Sequence, residues 1–125
     1  MGRDEQGDMQ GKTIILTIVQ DDVRDGITVA LKGLPVYIQQ ASSAQDALNF
    51  LEDYRVDLLI TEPQLTDMHS LQLIYKVKET FGLRGLPIAI IADSTNITPP
   101  MPNVEYLMRP ISITQIRQRV CDLLP

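Results

Sequence analysis

The sequence is poor in the residues that build metal cages, disulfides and aromatic binding surfaces. It has one cysteine, Cys121, one histidine, His69, and no tryptophan among 125 residues. A single cysteine excludes a disulfide framework and a cysteine-based zinc site. A single histidine excludes a multi-histidine metal site and weakens any Ser-His or Cys-His catalytic arrangement. Two phenylalanines and four tyrosines offer few rings on which a planar ligand could stack.

Positive charge and long hydrophobic runs are also scarce. Lys and Arg number 11 against 16 Asp and Glu, which gives a net charge of -5. This acidic balance disfavours contact with nucleic acid, which requires clustered cations. No apolar run reaches the roughly 18 residues of a membrane span. Residues 1–11 are polar and lack the features of a secretory signal. We therefore predict a disordered lead-in over 1–11, one domain over 12–125, a cytoplasmic location and no contact with a membrane.

The apolar residues that are present follow the periods of an alternating α/β chain. Near-continuous β-branched runs predict strands buried on both faces, as in a parallel sheet covered by helices. Predicted strands cover 13–19, 35–40, 56–61, 86–92 and 104–108. Helical spacing covers 23–32, 44–54, 70–81 and 113–124, with Ser43 and Ser112 as N-caps. On the last helix, the residues expected to face inward are Ile113, Ile116, Val120, Cys121 and Leu124.

The carboxyl ends of the strands deliver a set of charged side chains. In an open α/β sheet, ligands bind outside these ends. The residues delivered there are Gln20, Asp21, Asp22, Glu62, Ala92, Asp93 and Arg109. Carboxylate oxygens are ligands that suit Mg²⁺, and an arginine opposite them would hold a carboxylate or a phosphate.

These segments resemble the receiver domain of two-component response regulators, from about residue 12 to residue 124. Residues 57–71 look like the family's phosphoacceptor strand and loop, 87–92 like its fourth strand, and 106–110 like its last strand and Lys-Pro motif. The resemblance implies a flavodoxin-like three-layer α/β sandwich with a five-stranded parallel sheet of order 2-1-3-4-5. The stretch 93–103 is short and rich in proline, so we expect the fourth helix of the family to be short or missing.

The chain departs from the family pattern at the positions that carry its chemistry. Glu62 occupies the place of the phosphoacceptor Asp, with its carboxylate one methylene further out. A displacement of about 1 Å can cost on the order of a hundredfold in rate, so Glu62 is expected to be a poor acceptor. Ala92 replaces the Thr or Ser that bonds the phosphoryl group, and Arg109 replaces the Lys. Tyr106 matches the switch aromatic, although its relay usually runs through the residue that is Ala92 here.

The acidic pair of the family can be placed in two ways. Either Asp21 and Asp22 form the pair, or Gln20 and Asp21 fill its two places and Asp22 follows. In both cases we predict an acidic pocket formed by Asp21 and Asp22, with Arg109 facing Glu62. We predict no cofactor beyond weak binding of Mg²⁺, for which the candidate ligands are Asp21, Asp22, Glu62 and Gln64.

The resemblance and the departures together predict a signal transduction module that is not an enzyme. We expect an atypical receiver that lacks the phosphoacceptor Asp and acts through protein–protein interaction. The expected partner is a histidine kinase, another signalling protein or other domains of a larger regulator. The partner surface is expected around Tyr106 and 111–119, with a homodimer through the last strand and helix as a variant. The alternatives are an active receiver phosphorylated by a histidine kinase with Mg²⁺, and a small-molecule-sensing flavodoxin-like domain.

Overall fold

The computed structural model describes residues 11–93 and 101–125. Five strands run over β1 Lys12–Thr17, β2 Val36–Ala41, β3 Leu58–Thr61, β4 Ile88–Ala92 and β5 Val104–Met108. Helices in this part of the chain are α1 Asp21–Ala30, α2 Ala44–Asp53, α3 Ser70–Tyr75 and α4 Ile113–Leu123. A π-helical segment, Lys76–Thr80, continues α3. The predicted alternation of strands and helices is confirmed.

The five strands form one parallel sheet in the order β2-β1-β3-β4-β5. The order follows from right-handed crossovers that place helices on both faces. One apolar cluster joins the sheet to α1 and α4, and the other joins it to α2 and α3. This is the predicted three-layer flavodoxin-like sandwich with strand order 2-1-3-4-5.

Strand β1 shows why a near-continuous apolar run is needed. Successive side chains of a strand point to opposite faces. Ile14 and Leu16 belong to the cluster under α1 and α4, whereas Ile15 belongs to the cluster under α2 and α3. All three side chains are fully buried. Alternation of apolar and polar residues would have left one face of the sheet exposed to water.

The helix ends agree with the predicted caps. The Ser43 hydroxyl accepts a hydrogen bond from the Asp46 backbone N–H at the start of α2. Ser112 and Gln115 form the predicted capping box at the start of α4. One inward assignment is wrong, because the Ile113 side chain is 52% exposed. Ile113 is the first residue of α4, where the helix has not yet come to lie against the sheet.

Two predictions fall on residues outside the described part of the chain. The lead-in covers 1–11, of which the structure describes only Gly11, whose N–H donates to the Pro35 carbonyl. The segment expected to lack a full helix covers 93–103, of which 94–100 are not described. Within 11–93 and 101–125, no helix has both the length and the hydrophobicity to cross a bilayer.

Candidate functional site

The register of the sheet brings three of the strand-end residues together. Strands β1 and β3 end level with each other, with Thr17 paired to Thr61. The Glu62 N–H then donates to the Thr17 carbonyl at 3.2 Å, so the pairing extends one residue further. Gln20 follows β1, Glu62 follows β3 and Arg109 follows β5. These three side chains meet at the carboxyl edge of the sheet.

Glu62 is a buried carboxylate, with 2% of the residue exposed. Its Oε1 accepts hydrogen bonds from the backbone N–H groups of Val19 at 2.6 Å and Gln20 at 2.9 Å. Its Oε2 accepts from Gln20 Nε2 at 2.6 Å and from Arg109 Nη2 at 3.2 Å. Each oxygen therefore has two donors. We call this group, formed by Glu62, the Val19 N–H, Gln20 and Arg109, the Glu62 network.

The Glu62 network contains the predicted ion pair and explains how the charge is tolerated. A buried carboxylate is costly unless it is both paired and hydrogen-bonded. Arg109 supplies the positive charge, and its side chain is 34% exposed, so the guanidinium keeps contact with water. Gln20 and the Val19 N–H supply neutral donors from the β1–α1 loop. One carboxylate thus joins the ends of β1, β3 and β5.

The structure differs from the predicted acidic pocket. The Asp21 side chain is 83% exposed and forms an ion pair with Arg24, one turn further along α1. Asp22 is exposed and lines a cavity of about 590 Å³ between α1 and the start of α4. The residue that faces Glu62 is Gln20. The geometry therefore favours the second placement of the pair, in which an amide fills its first position.

The predicted ligands do not fit a divalent cation. Mg²⁺ takes oxygen ligands in near-octahedral geometry and keeps several waters. Both oxygens of Glu62 already accept two hydrogen bonds each, and Asp21 is directed to Arg24. Gln64 is exposed on the loop after β3. Within 11–93 and 101–125, no three His, Cys, Asp or Glu side chains are grouped so that they could hold a metal ion.

Ala92, at the position of the family's Thr or Ser, and Tyr106, at the position of its switch aromatic, lie beside this site. Ala92 is buried at the end of β4, and its carbonyl accepts from the Arg109 N–H at 2.8 Å. A methyl group there cannot donate to a phosphoryl oxygen. Tyr106 on β5 is half-buried and packs against the cluster that contains Ala92. The relay from a bonded hydroxyl to the aromatic ring therefore lacks its first member.

The loop after β3 holds two residues that the sequence analysis did not assign to a role. Asp67 accepts hydrogen bonds from the backbone N–H groups of Ala44 and Gln45, both at 2.9 Å, at the start of α2. Partial burial raises the pKa of Asp67, but these backbone donors outweigh it and the pKa is lowered. His69 Nδ1 accepts from the Leu71 N–H at 3.1 Å and caps α3. For His69, its position directly before the predicted helix over 70–81 was a signal, whereas no local signal linked Asp67 to the start of α2.

The chain is similar in sequence to proteins of two-component signalling, although no family model matches it. It is 26% identical over 110 residues to a probable cyclic di-GMP phosphodiesterase of Vibrio cholerae, covering 82% of this chain and 25% of that protein. It is 28% identical over 109 residues to the two-component response regulator ORR8 of Oryza sativa, covering 79% and 89%. The chain spans between a quarter and about half of the length of the first curated relatives it matches.

Solved structures show the same fold. The chemotaxis response regulator CheY4 of Vibrio cholerae is 14% identical with a TM-score of 0.79, covering 92% of this chain and 100% of that one. The receiver domain of the hybrid histidine kinase CckA is 23% identical with a TM-score of 0.73, covering 90% and 99%. The strand order and these structures show that the chain has the fold of response-regulator receiver domains, and its sequence is similar to those of two-component response regulators.

Proposed function

We propose that this receiver domain is an atypical one, which passes signals through contacts with other proteins and is not switched by phosphorylation of an Asp. The observation that carries this proposal is the Glu62 network. A carboxylate accepts a phosphoryl group by attacking phosphorus with an oxygen lone pair. Glu62 accepts two hydrogen bonds at each oxygen and is almost fully buried. It is therefore held as an acceptor of hydrogen bonds and not as a nucleophile.

The proposal also explains the other departures at the sheet edge. A receiver that forms a phosphoryl-aspartate needs a cation, a hydroxyl and a basic side chain around the phosphoryl oxygens. Here the hydroxyl is absent at Ala92, and Arg109 is engaged with Glu62. Both changes act in one direction, since one removes and the other engages a group that would stabilise a phosphoryl group. The domain has no catalytic activity of its own and works in the cytoplasm.

The partner surface is formed by β5 and the start of α4. A shallow cavity of about 500 Å³ lies there. Its lining includes Tyr106, Met108, Gln115, Gln118 and Arg119. Arg119 pairs with Glu105 across this surface, and Ile113 exposes an apolar side chain beside it. Mixed polar and apolar groups of this kind suit a regulated protein contact.

The partner is a histidine kinase, another signalling protein or another domain of a larger regulator. The curated relatives support the last arrangement, because the chain matches only 25% of the Vibrio cholerae protein. The receiver of a hybrid histidine kinase shares the fold. A homodimer through β5 and α4 is a variant of the same proposal, since it uses the same surface.

Phosphorylation is tested by weighing the intact protein after incubation with acetyl phosphate and Mg²⁺. We expect an unchanged mass, while a receiver that carries an Asp at the acceptor position gains one phosphoryl group under the same conditions. A stable gain of one phosphoryl mass that is lost in Glu62→Ala would overturn the proposal and establish phosphorylation at this site.

The contact itself is tested by measuring binding to histidine kinases of the same organism. Binding of the intact chain is compared with binding of Ile113→Ser and of Arg119→Ala. A matched control is Tyr75→Ser, which changes an exposed apolar residue on α3, away from β5 and α4. We expect the first two variants to weaken binding about tenfold and the control to leave it unchanged. Equal binding by all four proteins would place the contact elsewhere.

A further inference from the structure

We propose that Gln20 is a positioning residue that takes the place of a divalent cation, so that this edge of the sheet is assembled without metal and does not respond to Mg²⁺. The inference rests on the proposed function, in which Glu62 is not phosphorylated. It concerns a different property, which is the affinity of the site for a cation.

The charges of the Glu62 network already balance. Glu62 carries one negative charge, Arg109 carries one positive charge, and Gln20 is neutral. Asp21 is paired with Arg24 at the surface, and Asp22 is exposed on the cavity that Arg109 also lines, away from the buried oxygens of Glu62. A cation binds where negative charges outnumber positive ones, and here no excess remains at the buried oxygens. A divalent cation would add two positive charges beside Arg109 and meet repulsion.

The donors leave no oxygen of Glu62 for coordination. Gln20 Nε2 donates to Oε2 at 2.6 Å, and Arg109 Nη2 donates to the same oxygen at 3.2 Å. The backbone N–H groups of Val19 and Gln20 occupy Oε1. To bind Mg²⁺, the carboxylate would have to exchange these donors for the ion. If residue 20 were acidic, its carboxylate would face that of Glu62, and a cation would be needed between them. The Gln20 amide makes that cation unnecessary, because it donates a hydrogen bond to Glu62.

An isosteric substitution makes this inference testable. Gln20→Glu keeps the size of the side chain and replaces the donor NH₂ with a second carboxylate at Glu62. Like charges at this distance repel strongly in a partly buried site. We expect the thermal midpoint of Gln20→Glu to fall by about 4 °C in a chelator and to recover in about 10 mM Mg²⁺. The wild type should keep the same midpoint, within about 1 °C, in both solutions.

Gln72→Glu is the matched control. It makes the same change of charge at an exposed position of α3. We expect it to behave like the wild type in chelator and in Mg²⁺. The inference is overturned if Mg²⁺ stabilises the wild type as much as it stabilises Gln20→Glu. It is also overturned if Gln20→Glu and Gln72→Glu cannot be distinguished.

A measurement on the wild type covers the case in which Gln20→Glu does not fold. In a ¹⁵N-labelled sample, the side-chain NH₂ of Gln20 and the N–H of Val19 should keep their chemical shifts as Mg²⁺ is added. Shifts confined to these groups would contradict the inference. The mass experiment with acetyl phosphate separates the two proposals. A wild type that gains a phosphoryl group refutes the proposed function, whereas an unmodified wild type that Mg²⁺ stabilises refutes only the role of Gln20.

Discussion

At the scale of single residues, Glu62 determines how the carboxyl edge of the sheet is held together. One extra methylene relative to Asp lets the carboxylate reach the N–H groups of the β1–α1 loop and the Gln20 amide. A buried charge that is satisfied in this way is a structural element, because removing any donor leaves the remaining charge less compensated. Effects of substitutions in the Glu62 network are therefore expected on stability as well as on binding.

Arg109→Ala tests the ionic part of the Glu62 network. It removes the positive charge beside Glu62 and leaves a buried carboxylate with neutral donors only. Because Arg109 is partly exposed, we expect a loss of about 1–2 kcal/mol in the free energy of unfolding. Urea denaturation followed by circular dichroism measures it.

The control for this variant is Arg84→Ala. Arg84 pairs with Glu79 at 2.7 Å, but both side chains are exposed. An exposed pair contributes about 0.5 kcal/mol or less. Similar losses for Arg109→Ala and Arg84→Ala would mean that burial of Glu62 does not strengthen its pairing.

Asp67→Asn tests the link between the loop after β3 and the start of α2. The substitution removes the charge that faces the first N–H groups of α2, and we expect a loss of about 1 kcal/mol at neutral pH. The pKa of Asp67 is lowered in the folded state. Its stabilisation is therefore present above the unfolded pKa of about 3.9 and is lost as the pH falls through the folded value.

The measurement is the free energy of unfolding of wild type and Asp67→Asn between pH 7 and strong acid. The difference should stay constant above about pH 5 and shrink below about pH 4. Asp53→Asn, at an exposed position at the end of α2, is the control. A difference for Asp67→Asn that is independent of pH would show that the charge is not what stabilises the helix.

Glu62 and Arg109 can be identified from the sequence because each follows a predicted strand directly. The role of Gln20 cannot, since an amide at the position of an acidic residue indicates no function until its hydrogen-bond partner is known. The contact joins residues 42 positions apart. The role of Asp67 could not be predicted for the same reason, because its hydrogen-bond partners lie 22 and 23 residues away on α2.

At the scale of helices and strands, α1 and α4 are joined by more than apolar contacts. Arg117 on α4 donates from Nη1 to the carbonyls of Ala30 at 3.2 Å and Lys32 at 2.8 Å. These carbonyls lie at the carboxyl end of α1, which has no basic residue in its last turn. Positive charge is favourable there because of the helix dipole. Arg117 thus supplies from α4 what the sequence of α1 lacks.

Arg117→Ala is expected to lower the free energy of unfolding by about 1 kcal/mol, and Arg117→Lys by less. The nearby Gln118→Ala is the control, because Gln118 is exposed and bonds only its helix neighbour Asp122 among the described residues. We expect an effect below about 0.5 kcal/mol for it. The free energy of unfolding of the three variants is measured by chemical denaturation. Equal losses for Arg117→Ala and Gln118→Ala would contradict a capping role of Arg117.

The elements that were predicted correctly are those with a local signal. The capping box of Ser112 and Gln115 needs only two residues three apart, and the run 13–19 needs only its own β-branched side chains. The π-helical turn Lys76–Thr80 was not predicted, because an amphipathic period of 3.6 residues indicates an α-helix there. The sequence predicts one α-helix over 70–81, whereas in the structure the helix type changes at Lys76.

At the scale of the whole molecule, the sheet separates two apolar clusters that are each completed by one pair of helices. Leu73 on α3 is fully buried in one, and Ile116 on α4 is 5% exposed in the other. Both clusters use side chains from the same strands. The two faces are therefore expected to unfold together, although none of the helices within 11–93 and 101–125 spans both.

Leu73→Ala and Ile116→Ala test this coupling from opposite faces. Each substitution leaves a cavity and should cost about 2–5 kcal/mol. We expect a single transition in both variants, with coincident midpoints from far-ultraviolet circular dichroism and from tyrosine fluorescence. A variant with two separated transitions would show that one layer can open while the other stays folded.

Two of the donors in the Glu62 network are main-chain groups, and this has a consequence for how the protein can vary. The N–H of Val19 is present in every amino acid except proline, and the Val19 side chain is 38% exposed. Position 19 can therefore be substituted by nearly every residue type without loss of the hydrogen bond from its backbone N–H to Glu62. The contact leaves no signature at that position in a set of sequences. In a set of related sequences, only the residue types at positions 20, 62 and 109 would indicate the Glu62 network.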